Sequence, residues 1–326
     1  MKRKTVDKAL VTIAAGTLAL TACGPGEASA DDFPEEPIEI VVPWGAGGSS
    51  DVAVRAFAEA YEEANGDQIL VVNRPGGGSA IGAAEAARAN ADGYTMLHST
   101  ASTFITVPLL EDVNYGPDDF KSVISLGDQP VILVANPDTN WESLEDVPMD
   151  EELVIATTSP GNVLHLIASN FVDEAGGSSS HLPFDSSGET TQAVANGNAD
   201  LAAVEANIAL PQIEAGEVTA LAVSSSEPLE ELPESETFSA QGFERSHDRY
   251  SRMALSVPSD TPDEIIQALQ EGGAEALETS TWNDYAETTM LQPPAYEGGD
   301  FMDSYISNET DWTRESMEPA GLEPQE

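Results

Sequence analysis

The 326-residue chain holds one cysteine, Cys23. A disulfide within the chain is therefore impossible, and cysteine-based zinc sites are excluded. Positive charge is almost as scarce. Lys2, Arg3, Lys4 and Lys8 lie in the first ten residues, and Lys121 is the only later lysine. From Cys23 onward eight basic residues face 57 acidic ones, and the formal net charge of the whole chain is −46. Such a surface repels nucleic acid and anionic lipid, so no nucleic-acid partner is expected. It also repels itself at low salt, whereas at about 1 M ionic strength the Debye length falls to roughly 3 Å. Acidity spread along the chain with almost no lysine points to adaptation to high salt. Enzyme signatures are absent too. There is no G-x-S-x-G elbow and no G-x-x-x-x-G-K-[ST] loop, and His98, His165, His181 and His247 lack metal-ligand spacing. They read as strand, core or surface histidines. No metal, cofactor or catalytic residue is expected. With 40% apolar and 6% aromatic residues the chain still suits a globular α/β protein long enough for two domains.

The N-terminus sets the compartment. A basic start precedes an apolar run over residues 9–20, too short to span a bilayer. Leu20-Thr21-Ala22-Cys23 then resembles a bacterial lipobox, which implies a signal peptide over residues 1–22 and lipidation of Cys23. Residues 23–36, rich in Gly, Pro, Ser and acid, read as a flexible tether. The folded part is expected outside the cytoplasm, anchored to the cell membrane by lipid, where free dinucleotide is scarce.

Strand-like and helix-like segments alternate beyond the tether. IEIVVP (38–43), QILVVN (68–73) and YTMLHS (94–99) read as strands, with helices over 50–65 and 80–90 between them. This βαβαβ order predicts a parallel, doubly wound sheet. Strand follows over 123–136, and 138–148 reads as a crossover into a second α/β unit. That unit contains strand 153–159, helix 161–176 and strands 179–184, 199–205 and 219–225. Strand 253–259 and helix 261–278 return to the first unit. Lobe 1 is expected over 37–135 plus 251–326, and lobe 2 over 136–250.

The turn VVPWGAGGSSDVAVR (41–55) is one residue short of the G-x-G-x-x-G dinucleotide fingerprint. A helix start preceded by glycines is an anion cradle in either case, because its N–H groups are unpaired and carry about half a positive charge. Ser49 or Ser50 is expected to cap this helix, and Asp51 and Arg55, at i and i+4, to brace it. NRPGGGSAIG (73–82) repeats the device. Its Arg74 reads either as an NADP-selecting residue or as a salt-bridged loop residue. Ser99-Thr100-Ala101-Ser102 adds hydroxyls after the third strand. Thr157 to Asn162 forms another strand-to-helix junction, at which Ser159 or Asn162 is a cap candidate. Trp44 and Phe184 are candidate cleft walls.

In order, Pro43-Trp44-x-x-Gly47-Gly48-x-x-Asp51-x-x-x-Arg55, Asn73-Arg74-Pro75-Gly76-x-Gly78, Ala91-Asp92-Gly93-Tyr94-Thr95, Leu182-Pro183-Phe184 and Gly197-Asn198-Ala199-Asp200-Leu201 resemble the Bug (TctC-like) solute-binding proteins of tripartite tricarboxylate transporters. The resemblance covers roughly residues 36–310. It implies a periplasmic-binding-protein-like (type II) α/β fold, two lobes closing on a small di- or tricarboxylate, and handover to membrane permease subunits; the protein itself is expected to be a monomer. The ligand-binding residues it implies are Trp44, Ala46, Gly47, Gly48, Ser49, Ser79, Ser99, Thr100, Thr158, Ser159, Asn162, Phe184, Ser186 and Ser187. Phe184-Asp185-Ser186 stands where the family often has Tyr-Lys-Gly, and a Trp common before the returning strand is missing near Tyr250-Ser251-Arg252. A carboxylate-sensing component of a signalling system and a dinucleotide-dependent enzyme are the alternatives.

Overall fold

The computed structural model describes residues 33–295 and 304–324. The signal segment 1–22, Cys23 and the tether as far as residue 32 lie outside the described residues. The Phe33 ring packs on Tyr94 with centroids 5.0 Å apart.

Strands β1 (Ile38–Val42), β2 (Ile69–Asn73) and β3 (Thr95–Ser99) are parallel and are connected by α1 (Ser49–Asn65) and α2 (Ala80–Ala86). In α1, Ala53, Val54, Phe57, Ala60 and Tyr61 recur every three or four residues and bury one stripe. The helix stops at Gly66, whose φ of 79° turns its N–H back to the Glu62 carbonyl. The chain continues through α3 (Ala101–Phe104), α4 (Thr106–Leu110), β4 (Phe120–Ala135), β5 (Glu152–Thr157), α5 (Val163–Glu174), β6 (Ser178–Pro183), α6 (Ser187–Ala195), β7 (Leu201–Glu205), α7 (Ala206–Glu214), β8 (Thr219–Val223), β9 (Tyr250–Pro258), α8 (Asp263–Leu277), α9 (Ser280–Thr289) and α10 (Ile306–Met317).

Strand β4, buried except at Lys121, belongs to two sheets. Residues Phe120 to Pro130 pair with β9, and Val131 to Ala135 lie between β7 and β8. The chain thus passes from one lobe to the other between Pro130 and Val131, ahead of the 138–148 segment. It returns through residues 224–249, where Ser224 N–H donates to Val131 O at 2.9 Å and Arg249 N–H to Ser224 O at 3.2 Å.

The first sheet, β2-β1-β3-β9-β4, is mixed and not parallel throughout. β4 runs out of the lobe and β9 runs back in through the same junction, so the two neighbours are antiparallel. β9 slots between β3 and β4. The second sheet runs β8-β4-β7-β5-β6, with β5, β6 and β7 parallel. Neighbouring residues on a strand point to opposite faces, and both faces of each sheet carry a core. Val42 joins Phe57, Met96 and Leu255 on one face of the first sheet, while Val41 joins Leu97, Phe104 and Phe120 on the other. Leu133 and Ile132 divide in the same way between the two cores of the second sheet. At the junction Arg252 Nε pairs with Asp128 at 2.9 Å, and Arg252 NH1 lies 3.7 Å from Glu309 of α10.

Candidate ligand-binding site

The turn after β1 enters α1 with Gly48 as N-cap and no side-chain cap. Ser49 and Ser50 do not cap it, because both are already helical. The turn is held by Asp51, which accepts from the Gly47 N–H at 2.9 Å and pairs with Arg55 at 2.8 Å. Arg55 also donates to Asn73 Oδ1 at 3.2 Å, and Asn73 Nδ2 donates to Trp44 O at 3.1 Å, tying this turn to the end of β2. Burial pushes the Asp51 carboxyl up, but Arg55, the Gly47 N–H and Asn73 outweigh it and hold the group below its ordinary value. A depressed folded-state pKa contributes stability above the unfolded pKa, and this is lost as pH falls through the folded value. Asp51→Asn is expected to lower stability by about 1–3 kcal/mol at neutral pH. It should also remove this acid-side loss. Denaturant midpoints measured across pH check both, and an unchanged midpoint would mean that the brace adds no stability.

The second loop is built from four consecutive residues in the left-handed region, Gly76 (φ 127°), Gly77 (58°), Gly78 (60°) and Ser79 (104°). Ser79 is strained there, whereas glycine adopts it freely. Such turns make backbone concavities that favour anions. Arg74 pairs with Glu85 at 3.0 Å and reads as a salt-bridged loop residue. Gly82 presses α2 onto the first loop, since a Cβ there would lie 2.8 Å from Pro43 Cβ.

Two adjoining cavities lie between the lobes. The inner chamber has a volume of about 30 Å³, room for a water or two. It is ringed by helix starts: Gly48, Ser49 and Ser50 of α1, Thr100 and Ser102 of α3, Asn162, Val163 and Leu164 of α5, Ser186 and Ser187 of α6, and Glu205, the N-cap of α7. Trp44, Thr158 and Ser251 complete the wall, and among the described residues no cationic side chain lines it. Converging helix N-termini supply the positive field instead. The Ser49 Oγ is buried without a partner. The outer vestibule, about 420 Å³, is lined by Gly76 to Ser79, Phe184, Asp185 and Glu189, and it shares Trp44 and Thr158 with the chamber. Trp44 stands edge-on to His98 with ring centroids 5.6 Å apart. His98 is wholly buried, and burial lowers its pKa to about 3, so it is a neutral core residue.

The lobes touch around these cavities. Gly45 N–H donates to Asp185 O at 2.8 Å, Thr106 Oγ1 to Gly161 O at 2.8 Å, and Asn207 Nδ2 to Ser49 O at 3.4 Å.

The structure brings Trp44, Gly48, Ser49, Thr100, Thr158, Asn162, Ser186 and Ser187 together in the chamber, and Ser79 and Phe184 in the vestibule. Ala46, Gly47, Ser99 and Ser159 line neither cavity. Ala46 and Gly47 are exposed on the outside of the turn, and the Gly47 N–H is engaged by Asp51. Ser99 and Ser159 are buried, Ser159 beneath Gly78. Asn162 caps α5 by accepting from His165 N at 2.8 Å, and its Nδ2 donates to Thr158 Oγ1 at 2.6 Å. Sequence reasoning missed Glu205 and Ser251. Glu205, the charge that ends the apolar run LAAV (201–204), is a legible signal; Ser251 has none. Among the described residues no cluster of three or more His, Cys, Asp or Glu is placed to hold a metal ion, and no helix is long and apolar enough to cross a membrane.

Comparison with known proteins places this architecture. Residues 53–315 match the family model described as the tripartite tricarboxylate transporter family receptor, TctC. The protein BugT of Bordetella pertussis is 31% identical over 261 residues, covering 77% of this chain and 79% of BugT. A solved periplasmic transporter superposes with a TM-score of 0.82 at 26% identity, over 88% of this chain and 97% of its own. The structure of R. palustris Rpa4515 with adipate does so with a TM-score of 0.82 at 25% identity, over 90% of this chain and 100% of its own. The fold is that of the periplasmic binding proteins, and the chain belongs to the TctC family of tripartite tricarboxylate transporter receptors.

Proposed function

We propose that this protein is the solute-binding component of a tripartite tricarboxylate transporter. It captures a small di- or tricarboxylate between its lobes and delivers it to membrane permease subunits, with no chemistry of its own. The observation that carries this reading is the set of helix N-termini converging on a chamber that no cation of the described residues lines. Such a site holds a carboxylate through N–H groups and hydroxyls. The chamber has the size of one carboxylate, so the rest of the ligand extends past Trp44 and Thr158 into the vestibule. The adipate carried by the Rpa4515 structure supports this class of ligand. The lobes open about the junction where β4 leaves and β9 returns. Lipid on Cys23 keeps the protein at the outer face of the membrane, and the high acidity suits it to a saline medium.

A thermal-shift screen of dicarboxylates and tricarboxylates in about 2 M NaCl, where charge repulsion is screened, tests the reading. A true ligand at about 100 times its Kd adds roughly 2.7 kcal/mol to the folded state. A shift with neutral sugars or amines, and none with any carboxylate, would overturn it.

A further inference from the structure

Among the described residues, Glu205 is the one acid lining the inner chamber. It is 6% exposed. Its Oε2 accepts from Ser187 Oγ at 2.7 Å, while Oε1 is held loosely by Ser251 Oγ at 3.4 Å. None of the salt bridges among the described residues involves it. A chamber whose helix starts favour an anion thus already contains one ionisable acid. If Glu205 kept its charge, it would occupy that field itself and repel an entering carboxylate a few ångströms away. Two carboxylates sharing a water-poor site share a proton instead.

Resting on the carboxylate reading above, we infer that Glu205 takes up one proton from solvent as a ligand carboxylate enters the chamber, and donates the resulting O–H to that carboxylate. Oε2 stays the acceptor of the Ser187 hydroxyl, and the loosely held Oε1 carries the proton. The N-terminal N–H groups of α7 favour the charged form of Glu205 before a ligand arrives; the ligand carboxylate then takes over that field. Burial already raises the Glu205 carboxyl above its ordinary value, against hydrogen bonds from Ser187, its own backbone and Ser251.

Among the described residues, the groups packed around Glu205 leave it without a competing cation. α9 presents the Tyr285 phenol, pushed up to about 12 chiefly by burial and so neutral. β4 places Val131 opposite Glu205, α6 presents Ser187 and α1 presents Ser49. On β9, Ser251 faces the chamber, and its neighbour Arg252 is committed to Asp128 and Glu309. Glu205 is therefore a specificity-determining residue. Protonated, it selects a carboxylate for the inner position, whereas an ammonium group there would need it ionised.

Isothermal titration with adipate in high salt tests this from about pH 6 to about pH 8.5, above the ligand's own carboxyl pKa values. Buffers of different ionisation enthalpy report the protons taken up. For the wild type, Kd should rise with pH, by up to roughly tenfold per pH unit, with up to one proton bound per ligand. Glu205→Gln, whose amide donates at every pH, should show a flat profile and no proton uptake, and should bind about tenfold or more tightly than the wild type near pH 8.5. Three results would overturn the inference: a wild-type Kd independent of pH, loss of adipate binding by a folded Glu205→Gln at every pH, or amine-bearing ligands bound by the wild type and lost in Glu205→Gln. The first leaves the transport reading standing. Failure of the wild type to bind any carboxylate at any pH would remove both.

Discussion

Gly45→Val is expected to weaken carboxylate binding by about 5- to 100-fold while leaving each lobe folded. A Cβ at Gly45 would lie 2.9 Å from the backbone oxygen and 3.3 Å from the carbonyl carbon of Asp185, in the opposite lobe. The nearest obstacles are thus backbone atoms that no rotamer change can move. Overpacking costs about 1–3 kcal/mol, and here it falls on the contact between lobes and not on either core. If binding requires the lobes to meet, the apparent Kd rises as the binding-competent fraction falls, about tenfold for each 1.4 kcal/mol. Titration calorimetry with adipate reads the affinity, and the melting temperature of the ligand-free variant checks the lobes. An unchanged Kd would show that the Gly45–Asp185 contact plays no part in capture.

Dilution of salt should have an effect as large, on stability. Reducing NaCl from about 2 M to about 0.1 M lengthens the Debye screening distance from under 3 Å to about 10 Å. Of the eight basic residues after Cys23, Arg55, Arg74, Lys121, Arg245, Arg249 and Arg252 are already paired with carboxylates. Almost no cation remains to offset the surplus of acid, so repulsion must grow as screening falls. The melting temperature is expected to drop by about 5 °C or more, a few kcal/mol at about 1.5 °C per kcal/mol for roughly 300 residues. Equal melting temperatures at both salt concentrations would remove the salt-adaptation reading.

Much of the fold was legible because its elements are local. The alternating apolar runs marked β1, β2, β3 and β5 to within a residue or two, and the 3.6-residue stripe marked α1. The glycine loops were legible as strand-to-helix turns, because few other residues adopt a positive φ. Less legible was β4, where a single apolar run could not reveal that its two halves belong to different sheets. The direction of β9 was hidden for the same reason. Strand sense depends on the route taken by the chain between strands, and periodicity carries no record of that route. At the site, Ser99 and Ser159 share the composition of the lining hydroxyls but are buried away from both cavities, while Ser251, about 200 residues from the first loop, reaches the chamber through pairing of β9 with β4.

The amino-acid sequence by itself determined the chemical character of this protein. It set an acidic surface, two α/β units, and glycine and serine turns that open helices at strand ends. These follow from charge count, period and backbone freedom, which are properties of neighbouring residues. Only the tertiary structure decided that the starts of α1, α3, α5, α6 and α7 meet at one chamber, that Trp44 and Thr158 divide it from the vestibule, and that a buried Glu205 sits among those helix ends. Convergence of dipoles and burial of a charge arise from long-range packing across the β4–β9 junction, which brings residues from Trp44 to Ser251 within one ligand's reach.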